Sequence, residues 1–234
     1  MQLTGRDLTI CTLLFRFGQL TSAQIASLVF SELSSHTPAA RTLARLTDNG
    51  FLHRIERRIV GGARGGSGVY VYCLGVRGHK LFSEARYTPT RTVQHHSLAI
   101  ADCYVMLRRL ERAGRLSIRG YATEPDCHVR IDRYELKPDL YVELDRPAVD
   151  PIRFMYEIDM GTQGQRQITE KFVRYWGAYN AASEAEWPPN QFVLFVAVDE
   201  QRAQELRWLL EKGDPAQQAI FRIKTAGQLE AELS

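Results

Sequence analysis

An α+β fold in two domains is the architecture that the sequence predicts, and three observations predict it. The chain has 234 residues, 44% of them hydrophobic, which is enough to bury a core in each of two small domains. Helix signals precede a pair of strands over residues 1–90, whereas helices and strands are interleaved over residues 91–234. Residues 1–91 hold 12 Lys and Arg against 5 Asp and Glu, a net +7, and residues 92–234 hold 18 against 22, a net −4.

Two capped helices begin the first domain. Thr4 can cap a helix over residues 5–17, because its hydroxyl accepts hydrogen bonds from the free amides of the first turn. Thr21 and Gln24 have the spacing of a capping box, in which each side chain satisfies a backbone amide of the other residue. They start a short second helix.

A third helix and two strands complete this domain. Thr37-Pro38 supplies an N-cap and a proline at the first helical position, and the helix ends at Asn49-Gly50. Residues 51–60 and 69–74 alternate as two strands, joined by a glycine-rich turn. Three helices followed by a basic hairpin predict a winged helix-turn-helix.

A winged helix with this charge is expected to bind double-stranded DNA. Its third helix enters the major groove, and the hairpin contacts the neighbouring backbone or minor groove. The side chains expected to contact DNA lie at the start of the third helix, on its outer face and on the hairpin: Ser35, His36, Arg41, Thr42, Arg45, Arg57, Arg58 and Arg64. The alternative is a module for protein contacts, in which the arginines form an ordinary solvated face.

The second domain is predicted to be a mixed α/β sandwich. A short helix over residues 76–85 closes the first domain, a polar segment around Pro89 forms the linker, and a long helix over residues 93–113 follows. Strands are expected at 116–122, 128–131, 140–144, 154–160, 192–198 and 220–224, and further helices at 167–182, at 200–212 and at the end of the chain. The apolar run at 192–198 is expected at the centre of the sheet, buried on both faces.

Acidic residues on two consecutive strands of this domain form the candidate catalytic site. Asp139 precedes one strand, and Glu157 and Asp159 lie on the next. Asp139 and Glu157 are candidate metal ligands, because two nearby carboxylates can hold a Mg²⁺ that polarises a phosphodiester. The alternative leaves the acids bonded to backbone amides of the turn that follows, or paired with Arg153 and Arg166.

The order helix, three strands, helix, strand, with Pro138-Asp139 and Glu157-Ile158-Asp159 at these places, resembles the PD-(D/E)xK nuclease core. Asp159 stands where that family has a lysine, so the resemblance is to a degenerate core. Lys171 or Lys137 is a candidate to replace it, and the candidate catalytic residues are Asp139, Glu157, Asp159 and Lys171. The substitution favours a non-catalytic protein that needs no cofactor. The alternative is a Mg²⁺-dependent endonuclease or nickase.

A second resemblance covers nearly the whole chain. The winged helix, HHSLAIADCYVML, KPDLYVEL and EIDMGTQ followed by KFVRYWGAY together resemble the replication-relaxation family of bacterial plasmids, integrative elements and phages. This resemblance implies a DNA-binding accessory or regulatory factor of a mobile element, acting in replication, relaxation, transfer or transcriptional control. The resemblance to this family implies no catalytic residues.

These observations together predict a sequence-specific DNA-binding protein. A homodimer is expected, because one winged helix reads only a few base pairs, and replication or transfer proteins are possible further partners. A protein-interaction scaffold of a replication or relaxation complex is the other alternative. Four scattered cysteines, apolar runs too short to span a bilayer and an N-terminus without signal-peptide features predict a cytoplasmic protein.

Overall fold

The computed structural model describes residues 2–59, 69–146 and 149–233. Over these residues the fold is α+β, with eight α-helices and with both antiparallel and parallel strand pairs. The chain divides into two units, Met1–Val105 and Met106–Ser234, and each has its own sheet. The predicted α+β class is confirmed at this level.

The first unit contains the three predicted helices followed by two strands. Its elements are α1 (Gly5–Phe17), β1 (Leu20–Thr21), α2 (Ser22–Val29), α3 (Thr37–Asp48), β2 (Leu52–Ile59), β3 (Val69–Leu74), α4 (Val76–His79) and the first part of α5 (His95–Arg112). The caps of the first two helices are confirmed, because the side chains of Thr4 and Thr21 both form capping boxes. The third helix has His36 as its N-cap, with no side-chain cap bond, so the predicted cap at Thr37 is wrong by one residue.

Three antiparallel strands form the sheet of this unit, in the order β1-β3-β2. Leu52 pairs with Leu74 and Leu20 pairs with Tyr72 across it. Almost fully buried core residues come from three helices and two strands of this unit: Ile10, Leu14, Leu20, Ile25, Leu43, Leu46 and Val71. Gly50 follows α3 with a φ of 72°, the left-handed conformation that glycine adopts without a Cβ clash. This residue ends the helix and turns the chain into β2.

The first unit runs past residue 90, where the sequence predicts the domain boundary. Two buried glutamines explain the difference. Gln19 Nε2 donates to the carbonyl of Thr92 at 2.8 Å, and Gln24 Nε2 donates to the Leu98 carbonyl at 2.9 Å and to Asp102 Oδ1 at 2.7 Å. The first turns of α5 therefore belong to the first unit, and the polar linker lies within it.

The second unit is built on a five-stranded mixed sheet. Its further elements are β4 (Ser117–Thr123), β5 (Val129–Ile131), β6 (Tyr134–Leu136), β7 (Leu140–Arg146), β8 (Val149–Asp159), α6 (Gln165–Ala181), β9 (Gln191–Ala197), α7 (Glu200–Glu211), a 3-10 turn (Pro215–Ala219), β10 (Phe221–Thr225) and α8 (Ala226–Leu233). The strand order is β10-β9-β8-β7-β4, in which the pairs among β10, β9 and β8 are parallel and the others antiparallel. β5 and β6 form a separate hairpin.

One face of this sheet is covered by α6 and α7. Phe172 of α6 stacks edge-on against Phe195 of β9 and Phe221 of β10, with ring centroids 5.0 Å apart in each pair. Met155 of β8 belongs to the same core. Since side chains alternate along a strand, residues 157 and 159 face the helices as Met155 does. The sheet therefore presents two acidic residues of β8 to α6 and α7.

Two general expectations concern membranes and thiols. Over the described part of the chain, no helix combines the length and the apolar character needed to cross a membrane. All four cysteines are buried thiols, as their apolar neighbours in the sequence predict.

Candidate functional site

The outer face of α3 carries the candidate nucleic-acid interface of the first unit. Arg41 is exposed and Thr42 is half-buried, whereas Ala39, Leu43 and Leu46 are buried in the core. Within the described residues, the Arg41 guanidinium has no hydrogen-bond or ion-pair partner. Its positive charge is therefore available to a ligand.

Arg45, expected at the same interface, forms an ion pair with the first helix. Its Nη2 donates to Asp7 Oδ1 at 2.6 Å, and the Asp7 side chain is almost completely buried. Burial acts to raise the pKa of the Asp7 carboxyl, but hydrogen bonds from the Thr4 amide and from Arg45 outweigh it and hold the pKa below its ordinary value. Arg45 thus fixes α3 against α1, a contact that sequence spacing did not indicate.

The other expected DNA contacts are placed only in part. Ser35 Oγ accepts a hydrogen bond from the amide of Thr37 at 3.2 Å, and His36 is exposed at the N-cap of α3. Arg57 and Arg58 lie on β2, but their side chains are outside the described part of the structure. Arg64 lies outside the described residues altogether.

A concavity of about 690 Å³ runs beside α3, and sequence reasoning did not anticipate it. Its walls come from α2, α3 and the two longer strands, and they include Ala23, Ala26, His36, Ala40, Ala44, Thr47, Arg54, Tyr70 and Tyr72. The Arg54 guanidinium lies 4.6 Å from the centroid of the Tyr70 ring, a cation–π contact that orients it. Small side chains on α3 leave this concavity open.

In the second unit, Glu157 is the centre of a buried polar cluster. Lys171 Nζ lies 2.5 Å from Glu157 Oε2, and the Tyr175 hydroxyl donates to Oε1 at 2.6 Å. Burial raises the pKa of the Glu157 carboxyl, the Lys171 ammonium acts against that shift, and the charge of Asp139 adds to it. The lysine that sequence reasoning proposed as a substitute therefore does reach the acid.

Asp139 is buried immediately before β7, the strand that pairs with the Glu157 strand β8. Its Oδ2 accepts a hydrogen bond from the Ile158 amide at 2.6 Å, and its own amide donates to the Tyr156 carbonyl at 2.8 Å. These bonds join the start of β7 to β8. Over the described residues, no group of three or more His, Cys, Asp or Glu side chains is arranged to hold a metal ion.

Asp159 is bound by an arginine that the sequence pattern did not reveal. Arg202 of α7 makes a two-pronged contact, with Nε to Oδ1 and Nη2 to Oδ2 both at 2.9 Å, and the Gly161 amide also donates to Oδ1. Arg153 and Arg166, the arginines considered as partners, pair with Glu143 and Glu170 instead. The turn amide was one of the expected partners of the acids, but Arg202 lies 43 residues away along the chain.

The fold and the two sites define an α+β protein with a basic, three-helix first unit and a buried acid–lysine cluster in the second. The family model for replication-relaxation matches residues 12–194, and the chain belongs to this family. The resemblance seen in the sequence is thereby confirmed, and membership implies a role in the replication or relaxation of mobile elements. Searches of curated proteins and of solved structures gave no match.

Proposed function

We propose that this protein is a sequence-specific, non-catalytic factor that binds double-stranded DNA in the replication, relaxation, transfer or transcriptional control of a mobile element. The observation that carries the proposal is Arg41. Its guanidinium is exposed on the outer face of α3 and has no partner within the described residues. An arginine in that position can donate two hydrogen bonds to a guanine edge or bind a phosphate.

The element order supports a winged helix-turn-helix in the first unit. α1, α2 and α3 precede the antiparallel pair β2 and β3, which is the order of that motif. In such a motif α3 is the recognition helix. Its small Ala40 and Ala44 border the concavity and leave space for close approach of a DNA backbone. The net charge of +7 over residues 1–91 favours the same partner.

A homodimer is part of this proposal. One recognition helix reads only a few base pairs, and two copies at paired half-sites multiply the discrimination. Sedimentation of the protein with and without its selected duplex tests this. A single copy bound to each duplex would contradict it.

Selection from a randomised duplex library tests the proposed recognition. Wild-type protein should enrich a defined sequence, and Arg41→Ala should lose the preference at one or two positions while keeping the others, because each side chain reads its own bases. Identical enrichment by both proteins would contradict the assignment of α3. Capture of replication proteins without any enriched duplex would favour a scaffold instead.

A second candidate function is a metal-dependent DNA endonuclease, and the contact between Lys171 and Glu157 favours it. Asp139, Glu157 and a lysine are the side chains that a PD-(D/E)xK centre uses, and the order α5, β4, β7, β8, α6, β9 supports such a core. Asp139 and Glu157 would supply oxygen ligands to Mg²⁺, which polarises a phosphodiester when bound. In the structure, each carboxylate oxygen of Glu157 accepts a hydrogen bond, one from Lys171 and the other from Tyr175.

Cleavage of supercoiled and linear DNA with Mg²⁺ or Mn²⁺ separates the two functions. The endonuclease predicts nicking that is lost in Asp139→Asn, Glu157→Gln and Lys171→Met. The preferred function predicts intact DNA with either metal and unchanged duplex binding by all three variants. Metal-dependent nicking by the wild type, absent from Glu157→Gln, would overturn the non-catalytic proposal.

A further inference from the structure

A second basic surface lies in the second unit, at the hairpin of β5 and β6. An open concavity of about 420 Å³ is lined by Arg133, Tyr134, Glu135, Lys137 and Arg174. Four of these residues belong to the hairpin and to the segment that leaves it, whereas Arg174 comes from α6. The concavity therefore has cationic groups on two separate elements.

The charges in this groove are incompletely neutralised. Arg174 is exposed and, within the described residues, has no hydrogen-bond or ion-pair partner. Lys137 pairs with Glu135 at 3.0 Å, but both side chains are at least half exposed, so the pair is weak. Arg133 donates to the Tyr134 hydroxyl at 3.0 Å. The lining thus carries three cations and one carboxylate, and the charge of Asp132 also acts on Arg133.

The groove is held in shape by close packing. The ring of Tyr134 lies directly over Gly177 of α6, where an added Cβ would meet ring atoms at 2.4 Å. Ile131 and Leu136 of the hairpin are fully buried in the core that α6 covers. The hairpin is therefore fixed on the helix, and the backbone that carries its cations is already in place without a ligand.

A neighbouring concavity extends the basic surface along the hairpin. It shares Arg133 and Glu135 with the groove and adds Arg130 and His128. Both concavities are open and shallow rather than enclosed. Such a surface fits an extended polyanion better than a small ligand, because an extended chain can place one anionic group at each cation.

The groove also adjoins the buried acid cluster. Lys137 is two residues from Asp139, and Arg174 lies three residues after Lys171, on the same side of α6. The guanidinium fork of an arginine can bind two oxygens of one phosphate at once, so the two arginines of the groove can each hold a phosphate of an extended backbone.

We propose that this groove binds the phosphodiester backbone of duplex DNA through Arg133, Lys137 and Arg174, and forms a DNA contact separate from α3. This inference rests on the proposed function, since it assumes that the chain binds duplex DNA. It assigns the second unit a share of the binding energy. It also gives a role to the exposed Arg174, which has no hydrogen-bond or ion-pair partner within the described residues.

The salt dependence of binding tests the groove in the full chain. The probe is a fluorescent random-sequence duplex, and Kd is measured by anisotropy at several salt concentrations. Each phosphate contact adds roughly 0.9 to the slope of log Kd against log salt. Arg133→Ala/Arg174→Ala should lower the slope by about two and weaken binding at low salt by about tenfold or more. The control Arg166→Ala/Lys212→Ala removes the same amount of charge outside the groove. It should lower neither the salt slope nor the affinity for the duplex.

The outcomes distinguish this inference from the function on which it rests. An unchanged slope in the groove variant, with a reduced slope in Arg41→Ala, overturns the groove and leaves the proposed function standing. A reduced slope in the groove variant alone supports the groove and contradicts the role of α3. Equal losses in the groove variant and its control overturn the groove, because net charge then accounts for them. Absence of duplex binding by the wild type overturns both.

Discussion

At the scale of single residues, Glu157 shows how a buried acid is kept in the core. The carboxylate is 3% exposed, and Lys171 and Tyr175 each donate to one of its oxygens. Burial raises its folded-state pKa above the value in the unfolded chain, so stability is lost as the pH rises from the unfolded-state pKa through the folded-state pKa. Lys171 offsets this loss.

Removal of Lys171 should therefore destabilise the protein in a pH-dependent way. Lys171→Met should lower the free energy of unfolding by about 2 kcal/mol at neutral pH, less than for a fully buried pair because the lysine is 27% exposed. The loss should shrink in acid, where Glu157 is protonated. Urea unfolding at several pH values measures it. The same change made on Glu157→Gln should cost much less, and an equal cost would contradict the pairing.

Asp7 should show the opposite pH dependence. Its folded-state pKa is lowered, so it contributes stability above the unfolded-state value of about 3.9, and that stability is lost as the pH falls through the lower folded-state pKa. Asp7→Asn should cost about 1 kcal/mol at neutral pH and flatten the acid limb of the stability curve. Acid limbs of equal steepness in wild type and variant, measured by urea unfolding, would contradict this.

Individual site residues could be predicted from the sequence only where local spacing carries the information. Thr4 and Thr21 follow capping patterns, and both cap as expected. The contacts of Asp7 with Arg45 and of Asp159 with Arg202 join residues 38 and 43 positions apart. No periodic pattern in the sequence predicts such contacts, because they depend on how the helices pack in the folded protein.

At the scale of secondary-structure elements, the long periodic segments were predictable, whereas some of the short ones were not. α1 begins and ends as expected, and β9 lies between two parallel neighbours, which agrees with its apolar sequence. β1 has two residues and was not predicted, because its pairing with β3 defines it rather than its own pattern. The predicted helix over residues 76–85 is only Val76–His79.

The contact between the β5–β6 hairpin and α6 gives a prediction at this scale. Gly177→Ala would place a Cβ 2.4 Å from the Tyr134 ring, so the hairpin or the ring must move. We expect a loss of about 1–3 kcal/mol in the free energy of unfolding. Gly227→Ala on α8, where the added Cβ meets no atom within 4 Å, is the matched control. Thermal unfolding that is equal in the two variants would contradict close packing at Gly177.

At the scale of the whole molecule, charge is distributed unevenly along the chain. The net +7 of residues 1–91 and the net −4 of residues 92–234 explain why a polyanion is expected at the first unit. The groove at Arg133 and Arg174 adds a basic surface to the acidic part. The chain belongs to the replication-relaxation family, and the proposed function assigns both surfaces to DNA.

The central claim is that α3 of the first unit contacts DNA through Arg41. The most direct measurement is the salt dependence of duplex binding by wild type, Arg41→Ala and the control Arg86→Ala, an exposed arginine of the same unit outside α3. If Arg41 meets a base or a phosphate, Arg41→Ala should weaken binding by about tenfold, whereas Arg86→Ala stays near the wild type. Equal affinities and equal salt slopes for Arg41→Ala and the wild type would contradict the claim.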